Sequence, residues 1–171
     1  MSDPHTNSTP SKIRAIGHEK AGLEPTQSFL NRLTNEHGFI ESILPLVEHH
    51  LKPSQFYLQG AKAGAIRRLA TKVNIKELVE VAKADFLGRT TPEAKAGRYE
   101  AGEWLLAEAQ KLQVEESRMP PLLQGRDLIA LGLKASPRFG EILSELYEAQ
   151  MDGLLNSKEE AIRYLREKIT I

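Results

Sequence analysis

"NIKELVEVAKADF", residues 74–86, decides the fold class. Asn74 is a favoured helix N-cap and Glu77, three positions on, completes a capping box, so a helix opens here. Ile75, Leu78, Val79, Ala82 and Phe86 then recur every three or four residues, the period of one buried helical face. Asp85 falls on the same face, three residues after Ala82. A carboxylate there is costly unless it is paired, hydrogen-bonded or bound to metal.

Working outward, the neighbouring segments keep the helical period. Ile40, Ile43, Leu44, Val47 and Leu51 form an apolar stripe, with Pro45 expected to kink or break it. That stripe runs into "LVEHHLKPSQF", residues 46–56. His50 follows Val47 by three and lies on the stripe, while His49 is rotated about 100° away from it. "TTPEAKAGRYEAGEWLLAEAQKL", residues 90–112, reads as one helix capped by Thr91, with Pro92 in its first turn. "SRMPPLLQG", residues 117–125, interrupts the pattern with paired prolines and a glycine. "SPRFGEILSELYEAQ", residues 136–150, repeats the cap-then-proline start at Ser136 and Pro137 and sets Phe139, Ile142, Leu143 and Leu146 on one face. "SKEEAIRYLREKI", residues 157–169, carries a capping box in Ser157 and Glu160. No period-2 alternation and no hairpin turn compete, so the class is all-α.

Composition narrows the function classes. In 171 residues a hydrophobic fraction of 40% supports a buried core, and 23 basic against 23 acidic residues give no global field. A nucleic-acid partner therefore needs a local basic patch. Cysteine is absent, which excludes disulfides and thiolate metal sites. No apolar run reaches the roughly 20 residues that cross a bilayer, and the polar start lacks a signal-peptide core, so a cytoplasmic protein with no membrane partner is expected.

His18, in "IGHEKAG", joins His50 and Asp85 as a third polar residue of interest on a separate element. These segments resemble the later part of an HD domain, the helical metal-phosphohydrolase fold, and in particular the HD-like region of bacterial tRNA nucleotidyltransferases and their poly(A) polymerase relatives. The resemblance rests on "GHEKAG", "VEHHLKP" and "AIRRLATKV…LVEVAKADFLGR". A longer match follows: "MPPLLQGRDLIALGLKASPRFGEILSELYEAQMDGLLNSKEEAIRYLREKI" is similar to the C-terminal segment of the same enzymes. Residues 1–12, rich in Ser, Thr and Pro, are expected to be flexible, and the resemblance implies a truncated HD-like helical bundle at 13–90, a connecting helix at 91–116 and a small helical RNA-binding-type region at 117–171. In its register His50 is the family histidine, and His49 is expected at the surface. His50 and Asp85 are expected to share an interior region, the alternative being that they sit at helix ends where water reaches them.

The family's catalytic groups are not matched. The chain has no His-Asp dipeptide and no Asp-x-Asp pair. Of the family's metal ligands only Asp85 is matched, and His18 and His50 correspond to auxiliary histidines, so the three are vestigial site candidates. Neither phosphohydrolysis nor nucleotidyl transfer is expected from this chain alone. No cofactor is expected in it, although the family uses a divalent metal, magnesium or manganese. RNA binding remains: Arg118, Arg126, Lys134 and Arg138 stand against one acid, Asp127, within residues 117–140. The resemblance implies that this region helps to hold tRNA or another RNA. An HD-type phosphohydrolase acting on nucleotides or phosphoesters is the alternative, and an oligomerisation module the third. A homo-oligomer is expected, because a truncated bundle exposes apolar surface.

Overall fold

The computed structural model describes residues 17–168. The flexible segment expected at 1–12 lies outside them. Within them the chain forms helices α1 (His18–Ala21), α2 (Leu23–Leu33), α3 (His37–His49), α4 (Lys52–Gln59), α5 (Ala63–Ala70), α6 (Ile75–Leu87), α7 (Pro92–Lys95), α8 (Glu100–Lys111), α9 (Gly125–Ala130), α10 (Arg138–Met151) and α11 (Lys158–Lys168). No strand occurs among the described residues.

Two large apolar cores organise these helices, with a smaller cluster of Ala82, Tyr99 and Ala101 between α6 and α8. The first gathers Leu46, Ile66, Leu69, Ile75, Leu78, Leu105 and Ala109 from α3, α5, α6 and α8. Burying one such aliphatic side chain contributes about 1.5–3 kcal/mol, so this cluster is the main reason the front helices hold together. The second gathers Leu123, Leu128, Leu146, Leu155 and Leu165 around α9, α10 and α11. The two are joined where α5 meets the end of α10. Arg67 donates to the Met151 carbonyl at 3.0 Å, and Arg68 bridges Glu148 and Asp152, each at 2.8 Å.

Several starts and stops follow the sequence. The Asn74 side chain accepts the Glu77 N–H at 3.2 Å, the Thr91 hydroxyl accepts the Ala94 N–H at 3.3 Å, and Ser157 accepts the Glu160 N–H at 3.1 Å. Others differ. The helix expected across 90–112 is two helices, because Gly97 takes φ 73° between α7 and α8. α8 is packed into the first core through Leu105 and Ala109 and does more than connect. Pro45 does not end α3. The donor it lacks would have met the Glu41 carbonyl, and Glu41 is exposed, so water can serve that carbonyl instead. Ser136 does not cap α10, whose N-cap is Pro137 with no side-chain cap.

One close approach fixes how α6 and α8 cross. A Cβ on Gly102 would lie 2.6 and 2.8 Å from Tyr99 ring atoms and 2.9 Å from Val79 Cγ1. Glycine is therefore what lets the Tyr99 ring pack over α8 and stack on Phe86, with centroids 4.8 Å apart.

Candidate functional site

The end of α3 brings His18, His50 and Asp85 together. One ligand atom from each lies within 4.8 Å of the others. α1 supplies His18, the C-cap of α3 supplies His50, and the last turn of α6 supplies Asp85. The His18 and His50 Nε2 atoms are 3.1 Å apart, with the rings edge to face. The other His50 nitrogen, Nδ1, is 2.6 Å from the Val47 carbonyl, which can only accept, so Nδ1 carries the proton. In neutral His50 that leaves the Nε2 lone pair facing His18.

This donor set fits a divalent ion. Two imidazole nitrogens on one tetrahedral zinc, each about 2.0–2.1 Å from the metal, stand about 3.3 Å apart. The observed 3.1 Å is close to that spacing. An Nδ1–H held by a backbone carbonyl is the usual support for a ligating histidine. Asp85 is the less committed member, because its carboxylate is already paired with Arg89 at 2.5 Å.

The burial expected of these residues is only partly observed. His50 is 8% exposed, as its stripe position implies. Asp85 is not interior: its side chain is 38% exposed. The last turn of α6 runs past the core, where Lys83 and Ala84 are exposed as well. His49 is not at the surface either, at 9% exposed. α3 packs against three helices, α1, α2 and α6, so more of its surface is covered than one stripe. Burial holds the His49 imidazole below its ordinary pKa. Lys72 and Lys52 add to that effect and Glu48 opposes it. Periodicity missed His49 because a single stripe presumes a single packed face.

The four C-terminal cations sit on separate elements: Arg118 before the prolines, Arg126 on α9, Lys134 between α9 and α10, and Arg138 as the first residue of α10. All four are exposed, and none makes an ion pair among the described residues. Asp127, the acid among them, is engaged elsewhere. It accepts from Lys158 Nζ at 2.6 Å and from the Gln124 N–H at 2.8 Å. These bonds hold its carboxyl below the usual carboxylate range. Its direct ion pair is thus with Lys158, and Arg126 acts on it only through longer-range attraction. Gln150 is 5% exposed and clamps the proline segment that follows Arg118. Its amide accepts the Leu122 N–H at 3.0 Å and donates to the Pro120 carbonyl at 2.9 Å, while Tyr147 donates to the Met119 carbonyl at 2.8 Å.

An all-α chain of two cores, with an imidazole–carboxylate cluster in the first and free surface cations beside the second, is the class that fold and site define. Among known proteins, the chain is 29% identical over 161 residues to the CC-adding tRNA nucleotidyltransferase of Thermus thermophilus, covering 90% of this chain and 34% of that protein. It is 29% identical over 155 residues to the A-adding tRNA nucleotidyltransferase of Deinococcus radiodurans, covering 88% of this chain and 34% of that protein. The chain thus spans about a third of the length of the curated relatives it matches. No protein-family model and no solved structure matches it. No helix among the described residues is long and apolar enough to cross a membrane.

Proposed function

We propose that this chain is the RNA-holding, C-terminal part of a tRNA nucleotidyltransferase-like protein, and that tRNA is its partner. The observation that carries this reading is the similarity, across about nine-tenths of the chain, to two enzymes named for tRNA. The cations Arg118, Arg126, Lys134 and Arg138, which make no ion pair among the described residues, support it physically. Exposed guanidinium and ammonium groups without internal partners release counterions when they meet phosphates, and that release supplies sequence-independent affinity. Arg138 at the first position of α10 adds the positive end of a helix dipole. Catalysis belongs to a head that this stretch does not supply. In the test, tRNA is added to isotopically labelled protein. Resonances of Arg126, Lys134 and Arg138 should move while those of Leu78 and Leu105 stay. Uniform small shifts, or none, would remove the reading.

A second reading has its own observation, the convergence of His18, His50 and Asp85. Two imidazoles and a carboxylate are a donor set used by catalytic divalent-metal sites, so an HD-type phosphohydrolase acting on a phosphoester is the alternative. These three residues would hold the ion, which when bound would polarise a phosphoryl oxygen and acidify a water. Calorimetric titration with zinc and manganese tests it: saturable binding lost in Asp85→Asn supports the alternative, and no binding removes it.

A further inference from the structure

The Glu19 Oε2 atom, on α1, is buried and has no hydrogen-bond partner among the described residues. It lies 3.8 Å from Nδ1 of the adjacent His18. Lys20, Lys52 and Lys72 border a cavity together with Glu19, yet none of them donates to this oxygen. A buried carboxylate oxygen without a donor is costly, so something has to justify it. We propose that Glu19 is a positioning residue for a divalent ion held by His18, His50 and Asp85. Its carboxylate accepts the His18 Nδ1–H and so presents the His18 Nε2 lone pair to the ion. This rests on the divalent-metal reading of that cluster and adds a residue to it.

The placement of the protons carries the inference. His50 Nδ1 is committed to the Val47 carbonyl at 2.6 Å, which leaves Nε2 of the neutral ring as an acceptor. His18 Nε2, 3.1 Å away, makes a hydrogen bond there only as an N–H. A neutral imidazole has one N–H, so His18 Nδ1 then turns a lone pair toward the Glu19 oxygen. Neither of those two atoms can donate to the other. With an ion between the two Nε2 atoms, both lone pairs are used and the His18 proton moves from Nε2 to Nδ1. There it meets the buried oxygen. Each ring then has its outer N–H held by an oxygen, His50 by a backbone carbonyl and His18 by a carboxylate, the two supports that ligating histidines commonly use. The His18 side chain is 42% exposed, which gives its ring room for the shift of about 1 Å that completes the bond. The backbone beneath is set closely. A Cβ on Gly22, at the end of α1, would lie 3.6 Å from Val47 Cγ1, so α1 is seated on α3 beside the residue whose carbonyl holds His50.

The test is a calorimetric zinc titration of the full, metal-free chain as parent, Glu19→Ala, Glu19→Gln and Glu48→Gln. Glu19→Ala should weaken zinc binding by about 10- to 100-fold. Glu19→Gln should lose less, because its amide oxygen still accepts from Nδ1–H. Glu48→Gln removes a carboxylate from the same cavity and should leave binding unchanged. In ¹⁵N spectra of the imidazoles, zinc should bring His18 of the parent to one form, protonated at Nδ1, and that single form should be lost in Glu19→Ala. Thermal unfolding of the metal-free proteins separates positioning from a structural role: removing a buried carboxylate without a donor should leave Tm unchanged or raise it. Glu19→Ala that binds zinc as tightly as the parent overturns the proposal and leaves the divalent-metal reading standing. A metal-free Glu19→Ala that melts well below the parent also overturns it. No zinc binding by the parent removes that reading and this inference together.

Discussion

Replacing Gln150 by alanine should loosen the segment that presents the C-terminal cations. The side chain is 5% exposed and satisfies two backbone groups, the Leu122 N–H at 3.0 Å and the Pro120 carbonyl at 2.9 Å. Pro120 is exposed, so water can replace the amide at its carbonyl. Leu122 is half-buried, and its N–H would lose its acceptor, at about 1–3 kcal/mol. The lost packing adds to this, and we expect a total near 2 kcal/mol. For a chain of this size that lowers Tm by about 4–8 °C. Gln150→Glu should fall between parent and alanine variant, because a carboxylate still accepts from Leu122 but cannot donate to Pro120. Thermal unfolding followed by circular dichroism gives the size of the loss. Hydrogen exchange at the Leu122 amide gives its location, since the proton should lose protection while that of Leu78 in the first core does not. If Tm moves by less than about 1 °C and Leu122 stays protected, Gln150 does not hold the segment and the reasoning fails.

Gly102→Ala should destabilise by about 1–3 kcal/mol, because its Cβ would overlap the Tyr99 ring and Val79; urea unfolding with an unchanged midpoint would show that α6 and α8 separate freely. Stability should also depend on His49. Its folded pKa is lowered, chiefly by burial and then by Lys72 and Lys52, so the unfolded chain binds the proton more readily. Stability contributed there is complete above about pH 6.5 and is lost as pH falls below it. His49→Gln should flatten that loss between pH 7 and pH 5, and parallel curves for parent and variant would contradict the assignment.

The helices were legible where a cap and a stripe agreed. Asn74 with Glu77, and Ser157 with Glu160, mark starts that the structure keeps. The break at Gly97 was not legible, because alanine-rich sequence on both sides suits a helix and only the backbone turn at φ 73° separates α7 from α8. The grouping of His18, His50 and Asp85 came from a motif resemblance, since no period links three separate elements. Periodicity placed His50 correctly and failed for its neighbour: His49 is buried because α3 packs against three helices, a tertiary fact absent from any single stripe. Asp85 failed in the opposite sense, because a stripe does not reveal where the core ends along a helix.

The most direct test of the RNA-holding role is the salt dependence of tRNA binding by the parent and by Arg126→Ala/Lys134→Ala/Arg138→Ala. Three phosphate contacts predict a slope of log K against log salt near −2.7, a loss of about 40-fold between roughly 50 and 200 mM salt. The parent affinity should be weak, on the order of 10⁻⁴–10⁻⁶ M at physiological salt. The triple variant should bind less tightly at low salt, with a nearly flat dependence, and different tRNAs should be affected alike because backbone contacts carry no sequence information. Identical curves for parent and variant, or no binding by the parent at low salt, would contradict the account.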